Sequence, residues 1–294
     1  MRTFRVMHRT EYIYGTAMAD GFTVARLLPR NTSLQTVRSA EIDVTPLADE
    51  WEESLDPFGN RVVHFAVHHP HFALTVTSNL EVGLETGELP EGDTPWEGIA
   101  ARAADARGEV AAEVGPFLAH TWQTPVLASL SELTGDVFTR GRGVIATVQH
   151  LCHRIFNEFQ FDPTFSDIST PLHSVLAERR GVCQDFAHVS CAALRSVGLP
   201  ARYVSGYIET VPLPGEPKLV GVDASHAWCS VWAGEFGWID FDPTNNQMPP
   251  LRHVTVGWGR DYDDVAPVRG VVIGPRSWQT LTVSVDVAEV FEAT

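Results

Sequence analysis

The segment Arg179-Arg180-Gly181-Val182-Cys183-Gln184-Asp185-Phe186-Ala187-His188 carries a cysteine where a glycine-containing turn enters an apolar-periodic stretch. A helix opening at Cys183 holds the thiol against unpaired backbone N–H groups and the positive end of the helix dipole, which favour thiolate over thiol. The Cys183 N–H is also a donor for a carbonyl oxygen docked at the sulfur. The plainer reading of Cys183 is a small apolar residue closing a helix end. A thiolate nucleophile needs a base, and the base needs an acceptor that orients it.

Twelve histidines compete for the role of base. His188 lies five residues past Cys183, about 140° around the same helix at 100° per residue, so it is expected to pack rather than face the sulfur. His64, His68, His69 and His71 cluster in the N-terminal part, but adjacent strand residues alternate faces, which argues against a shared metal. His226 opens His226-Ala227-Trp228-Cys229-Ser230-Val231-Trp232, a strand whose end can lie beside the Cys183 helix. Its plainer reading is a satisfied edge histidine. The short loop Gly234-Glu235-Phe236 makes the next strand, ending Asp240-Phe241-Asp242, a hairpin partner that returns a carboxylate toward His226. Asp240 and Asp242 share a strand face, and spacing alone leaves both open.

The elements that must position these residues divide the chain. Residues 1–84 read as an all-β module of two packed sheets, with aromatic and β-branched runs such as Tyr12-Ile13-Tyr14 and Phe22-Thr23-Val24. Asp56-Pro57-Phe58-Gly59-Asn60 turns a hairpin between Trp51–Leu55 and Arg61–Val67. Residues 85–98, rich in Gly, Pro and Glu up to Pro95, form the linker. Residues 99–294 read as an α+β core with C-terminal strands. One surface helix is expected over Ile99–Val114, and a second with buried face Val144, Val148, Leu151, Cys152 and Ile155. A third runs from Cys183 to a stop at Gly198 and Pro200. Antiparallel strands follow over Ala201–Ile208, His226–Ala233 and Gly237–Phe241, and Trp278–Val285 alternates once more.

The 294 residues are 44% hydrophobic and carry a net charge of −16, which repels phosphate backbones and anionic lipid, so neither nucleic acid nor membrane is an expected partner. The four cysteines, at 152, 183, 191 and 229, contain no C-x-x-C pair and do not read as a disulfide framework or zinc ribbon. The start Met-Arg-Thr-Phe-Arg-Val-Met-His lacks a signal-peptide core, no stretch reaches membrane-span length, and a reducing cytoplasm is expected. Asp261, Asp263 and Asp264 lack the glycine turn and terminal Glu of a calcium loop and read as a solvated turn. No metal or cofactor is expected.

Gly181-Val182-Cys183-Gln184-Asp185-Phe186-Ala187-His188, Gly198-Leu199-Pro200-Ala201-Arg202-Tyr203-Val204-Ser205-Gly206-Tyr207, His226-Ala227-Trp228 and Phe241-Asp242-Pro243-Thr244-Asn245 together resemble the bacterial transglutaminase-like family. Gly259-Arg260-Asp261-Tyr262 through Gly270, and the β-rich beginning, resemble that family's flanking regions. The resemblance implies a papain-like core in which Cys183 is nucleophile, His226 base and Asp242 orienter, in preference to Asp240. One departure is Phe159-Gln160-Phe161, where members often carry an aromatic-x-Tyr. What the resemblance implies is thioester chemistry on a peptide or protein amide. Hydrolysis is the expected outcome, because water is always present and no amine-binding feature is visible. Amine acyl transfer is the alternative, since it shares the first half-reaction. A non-catalytic scaffold in a peptide-processing assembly is a second alternative, disfavoured because all three positions hold the right chemistry.

Overall fold

A computed structural model describes residues 1–209 and 225–290. Six strands come first: β1 (Arg2–Met18), β2 (Asp20–Ala25), β3 (Gln35–Thr45), β4 (Glu50–Leu55), β5 (Arg61–Val67) and β6 (His71–Leu84). Their period-two patterning sets one face inward; along β1 it buries Phe4, Val6, His8 and Thr10. The helical region follows with α1 (Trp96–Ala104), α2 (Gly108–Val114), α3 (Leu130–Thr134), α4 (Val144–Glu158), the short β7 (Gln160–Phe161), α5 (Leu172–Glu178), the short β8 (Arg180–Gly181) and α6 (Cys183–Ser196). Then come β9 (Ala201–Ile208), β10 (Ser225–Trp232), β11 (Trp238–Phe241), β12 (His253–Gly259), α7 (Tyr262–Val265), β13 (Val268–Ile273) and β14 (Gln279–Val290).

The expected helix over Ile99–Val114 is two helices. The chain leaves α1 at Ala104 and re-enters α2 at Gly108, whose φ of +60° suits glycine and breaks the helical path.

Two four-stranded sheets make the β module, in the orders β14-β1-β6-β3 and β13-β2-β5-β4. The C-terminal strands, grouped by sequence with the second half, thus pair with the first two strands of the chain. In β14, Val285 and Val287 lie opposite His8 and Val6 of β1 and are buried with Phe4, Val6, Leu80 and Val82. That cluster also takes in Tyr207 of β9 and Val254 and Val256 of β12, so one apolar seam joins the module to the core.

In the core, α6 packs on an antiparallel sheet ordered β11-β10-β9-β12. Ala187, Val189, Cys191, Ala192, Ala193 and Leu194 are fully buried along that helix. Strand β12 is the edge of this sheet, and two side-chain amides from the β module cover it. Gln35 donates to the Thr255 carbonyl at 2.7 Å and accepts from the Thr255 N–H at 2.8 Å. Asn60 donates to the Trp258 carbonyl at 2.8 Å and accepts from the Trp258 N–H at 3.0 Å. Each amide thereby satisfies one donor and one acceptor of an edge that a further strand would otherwise pair.

Candidate active site

Cys183 is the first residue of α6 and is half-buried. The turn before it is braced twice. Strands β7 and β8 run parallel, with the Asp162 N–H donating to the Gly181 carbonyl at 2.8 Å. Asp185, in the first turn of α6, accepts the Val182 N–H at 2.8 Å, one half of a capping box. This carboxylate lies so close that a Cβ on Gly181 would stand 2.6 Å from it, so glycine is required by contact. Phe161 in β7 is exposed and sets an apolar ring beside the turn.

His226 lies in β10 opposite Gly206 of β9. A Cβ on Gly206 would fall 2.0 Å from the Val254 carbonyl oxygen and 2.7 Å from the Trp228 ring, so close strand crossing and a large indole are admitted only by glycine. Asp242 follows β11 and is wholly buried at the start of a turn closed by Asp242–Gln247 backbone hydrogen bonds. Its Oδ1 accepts the backbone N–H groups of Thr244 at 2.8 Å and Asn245 at 3.2 Å. Its Oδ2 accepts from His226 Nε2 at 2.8 Å, His253 Nε2 at 2.8 Å and Asn245 Nδ2 at 2.6 Å. An ionised carboxylate has no proton to give, so both imidazoles carry theirs on Nε2.

This geometry drives the two histidines apart. Burial opposes charge on His226, but hydrogen bonds with Asp242 and Cys183 outweigh it and push the imidazole up to about 10. Burial also dominates at His253 and leaves its affinity for a second proton lowered, despite the same carboxylate. For Asp242, burial works against ionisation, yet the two histidines hold the carboxyl well below the usual range. The same carboxylate thus favours charge on His226, while burial disfavours it on His253.

Asp240 accepts the indole N–H of Trp228 at 3.0 Å, and the Trp228 ring stacks against His226. Asp240 therefore braces the platform under His226 through the Trp228 indole. His188 is buried, accepts the Tyr262 N–H at 3.2 Å and packs on Tyr203; burial pushes it down to about 3. His68 pairs with Asp20 and Glu50, and His69 with Asp49, so the N-terminal histidines meet different acceptors rather than each other's lone pairs. The Asp261–Asp264 run is not a solvated turn. Asp261 is buried and caps α7 through the Asp263 N–H, while Asp264 and Asp263 pair with Arg260 and Arg269.

His253 and Asn245 were missed by sequence reasoning. Asn245 had a signal in Asp242-Pro243-Thr244-Asn245, an Asp-led turn. His253 opens β12, and only the pairing of β12 with β9, His253 opposite Ile208, brings it to the His226 end of the sheet.

Among the described residues, His226, Asp242 and His253 are the one group of three whose ligand-type atoms lie within 4.8 Å of one another. Both nitrogens, however, aim N–H at one oxygen at 2.8 Å, which is hydrogen-bond geometry. A cavity of about 550 Å³ lies behind His253, between β module and core, lined also by Arg202, Trp238, Asp240, Thr255 and Trp258.

Comparison with known proteins bears on this constellation. A family model described as the transglutaminase-like superfamily matches residues 132–243, and one described as the bacterial transglutaminase-like N-terminal region matches residues 4–83. An uncharacterized protein of Mycobacterium tuberculosis is 37% identical, over 97% of this chain and 92% of its own length. A protein-glutamine gamma-glutamyltransferase of Pseudomonas aeruginosa is 39% identical over 72 residues, 24% of this chain and 11% of that protein. The crystal structure of a putative cysteine protease from Cytophaga hutchinsonii covers 100% of this chain and 92% of its own, with a TM-score of 0.74 at 21% identity. That last likeness is one of fold.

Proposed function

This chain belongs to the transglutaminase-like superfamily of cysteine enzymes, with the β-rich N-terminal region of its bacterial members, and from that premise we propose that it cleaves amide or peptide bonds through Cys183, His226 and Asp242. The observation that carries the proposal is the 2.8 Å contact between His226 Nε2 and a fully buried Asp242, with the imidazole pushed up to about 10. A base so held is protonated at neutral pH and pairs with a thiolate.

In this reading the Cys183 sulfur attacks the carbonyl carbon of a peptide or protein amide. The carbonyl oxygen takes up negative charge against the N–H groups at the start of α6. As the tetrahedral adduct collapses, the C–N bond breaks, His226 gives its proton to the departing amine, and a thioester remains on Cys183. Neutral His226 then removes a proton from water, the thioester C–S bond breaks, and the acid product and the thiolate–imidazolium pair are restored. Asp242 keeps the imidazole in the required tautomer and stabilises its charge.

Hydrolysis is the reading we favour, since water needs no site of its own. Amine transfer is the second reading, and the glutamyltransferase relative supports it over the 72 residues it shares with this chain. Free thiols at all four cysteines suit a reducing compartment such as the cytoplasm.

The test is a library of peptides and glutamine amides, with intact-mass analysis of the protein during turnover. An acyl adduct on Cys183 is expected, lost in Cys183→Ala. Adding a primary amine separates the two outcomes: release of the acid throughout marks hydrolysis, and formation of the amine-linked product marks transfer. Turnover that survives Cys183→Ala refutes the assignment.

A further inference from the structure

Asp242 is approached by two histidines, and the chemistry above uses only one. The second is held as firmly as the first. Its side chain is 3% exposed, and its ring stands edge-on to Trp228 at 4.9 Å and 80° and lies 5.4 Å from the His226 ring. Trp228 is in turn fixed by Asp240. The Nδ1 atom of His253 is buried and has no partner among the described residues. A second proton there would leave a buried N–H without an acceptor, so the ring stays neutral with its proton on Nε2.

We propose that His253 is a positioning residue of the site: its Nε2–H shares the Asp242 oxygen that holds His226, and so limits how tightly that carboxylate retains the His226 proton. The inference rests on the catalytic reading of His226 and gives its partner a tuned strength. A carboxylate oxygen divides its charge among the donors it accepts, so each added donor weakens the hold on the others. The balance matters because the same imidazolium must stabilise a thiolate and then give its proton to a leaving amine. An imidazole gripped too tightly does the first and fails at the second.

His226 is faced by Asp242 and Asn245 from the turn after β11, by Cys183 from α6, by Trp228 of its own strand and by His253 from β12. Asp242 also receives the Thr244 and Asn245 N–H groups, and the Cys152 thiol of α4 donates to its backbone oxygen. His253 feels Asp240 beyond Trp228. Of these, His253 is the neutral ring donor that meets the same carboxylate oxygen at the same 2.8 Å as His226.

The experiment follows the His226 ring by NMR titration in Cys183→Ala protein, alone and combined with His253→Phe or His253→Gln. Phenylalanine keeps a ring and removes the donor, whereas the Gln amide places an N–H near the position of Nε2. His226 is expected to titrate about one pH unit higher with Phe and close to the parent with Gln. In protein that keeps Cys183, His253→Phe should lower kcat about tenfold with less effect on KM and carry the basic limb of the pH profile upward, and Gln should restore most of the rate. Should the Phe variant not fold, His253→Met removes the donor in its place. A His226 titration that is unchanged or lower without the donor, or Gln as impaired as Phe, overturns the proposal. The titration needs no turnover, so it can fail while Cys183 remains the nucleophile, and an active Cys183→Ala protein would refute the catalytic reading while leaving the titration intact.

Discussion

Replacing Asp242 by asparagine tests the centre of the site. The carboxylate accepts five hydrogen bonds, two on Oδ1 from backbone N–H groups and three on Oδ2 from His226, His253 and Asn245. An amide keeps one acceptor and adds two donors. With its oxygen toward Thr244 and Asn245, it turns an NH2 group on three donors; reversed, it turns NH2 on two backbone N–H groups. Either orientation removes at least two hydrogen bonds to a charged group, each about 1.5–3 kcal/mol. If Asp242 orients His226, acyl transfer should slow a hundredfold or more, about 2.7 kcal/mol of barrier. Stability should fall as well, with a characteristic pH dependence. Because His226 is raised from 6.5 to about 10, its pairing stabilises the fold fully below pH 6.5 and less as pH rises through about 10. Asp242→Asn should abolish that alkaline loss, measured by urea unfolding at pH 7 and pH 10. Asp240→Asn is the control, since its amide oxygen still accepts the Trp228 N–H and keeps the ring under His226 in place. Should Asp240→Asn be the slow variant and Asp242→Asn nearly normal, the triad as written is wrong.

Iodoacetamide at pH 6 should modify Cys183 before Cys152, Cys191 or Cys229, because the other three are at most 1% exposed and burial pushes Cys152 up to about 12; peptide mass mapping that finds another cysteine modified first removes the motive for choosing Cys183. Acid should destabilise the protein from about pH 6.5 downward, because burial holds His8 down to about 4 and His188 down to about 3, and the unfolded chain binds those protons more readily. Each group should remove about 2 kcal/mol by pH 5, and a flat stability between pH 7 and pH 5 would contradict it. Gly206→Ala should destabilise by about 3 kcal/mol or more, since its Cβ would stand 2.0 Å from the Val254 oxygen; thermal melting near the parent temperature would show that β9 and β12 can part at little strain.

Where sequence signals were local, the architecture was legible. Gly181 before an apolar-periodic stretch marked the start of α6, and Gly198 and Pro200 marked its end. The three-residue loop Gly234-Glu235-Phe236 made β10 and β11 hairpin partners and brought His226 within 2.8 Å of Asp242. It did not separate Asp240 from Asp242, because the distinction lies in burial and in the turn at Pro243, which lets Asp242 curl back over its own backbone N–H groups. What stayed hidden was non-local. The alternation of β14 announced a strand but not that its partner was β1, more than 260 residues away in register pairs such as Val6 with Val287. His253 was hidden for the same reason, since nothing near residue 253 states that β12 lies beside β9. The acidic run at Asp261 misled because charge was read as exposure, whereas capping and arginine pairing put those carboxylates to use.

The two amides that cover β12 have a consequence for chain association. An unpaired edge strand is a template for other chains, and β12, with Val254, Val256 and Trp258, would be an adhesive one. Gln35 and Asn60 occupy its hydrogen-bonding groups with side chains that offer no onward row of N–H and C=O groups, so pairing ends there instead of passing to a neighbour. The β module thus acts as a terminator of sheet growth for the core. Detaching it would uncover a ready seed for polymerisation on the same strand that begins with His253.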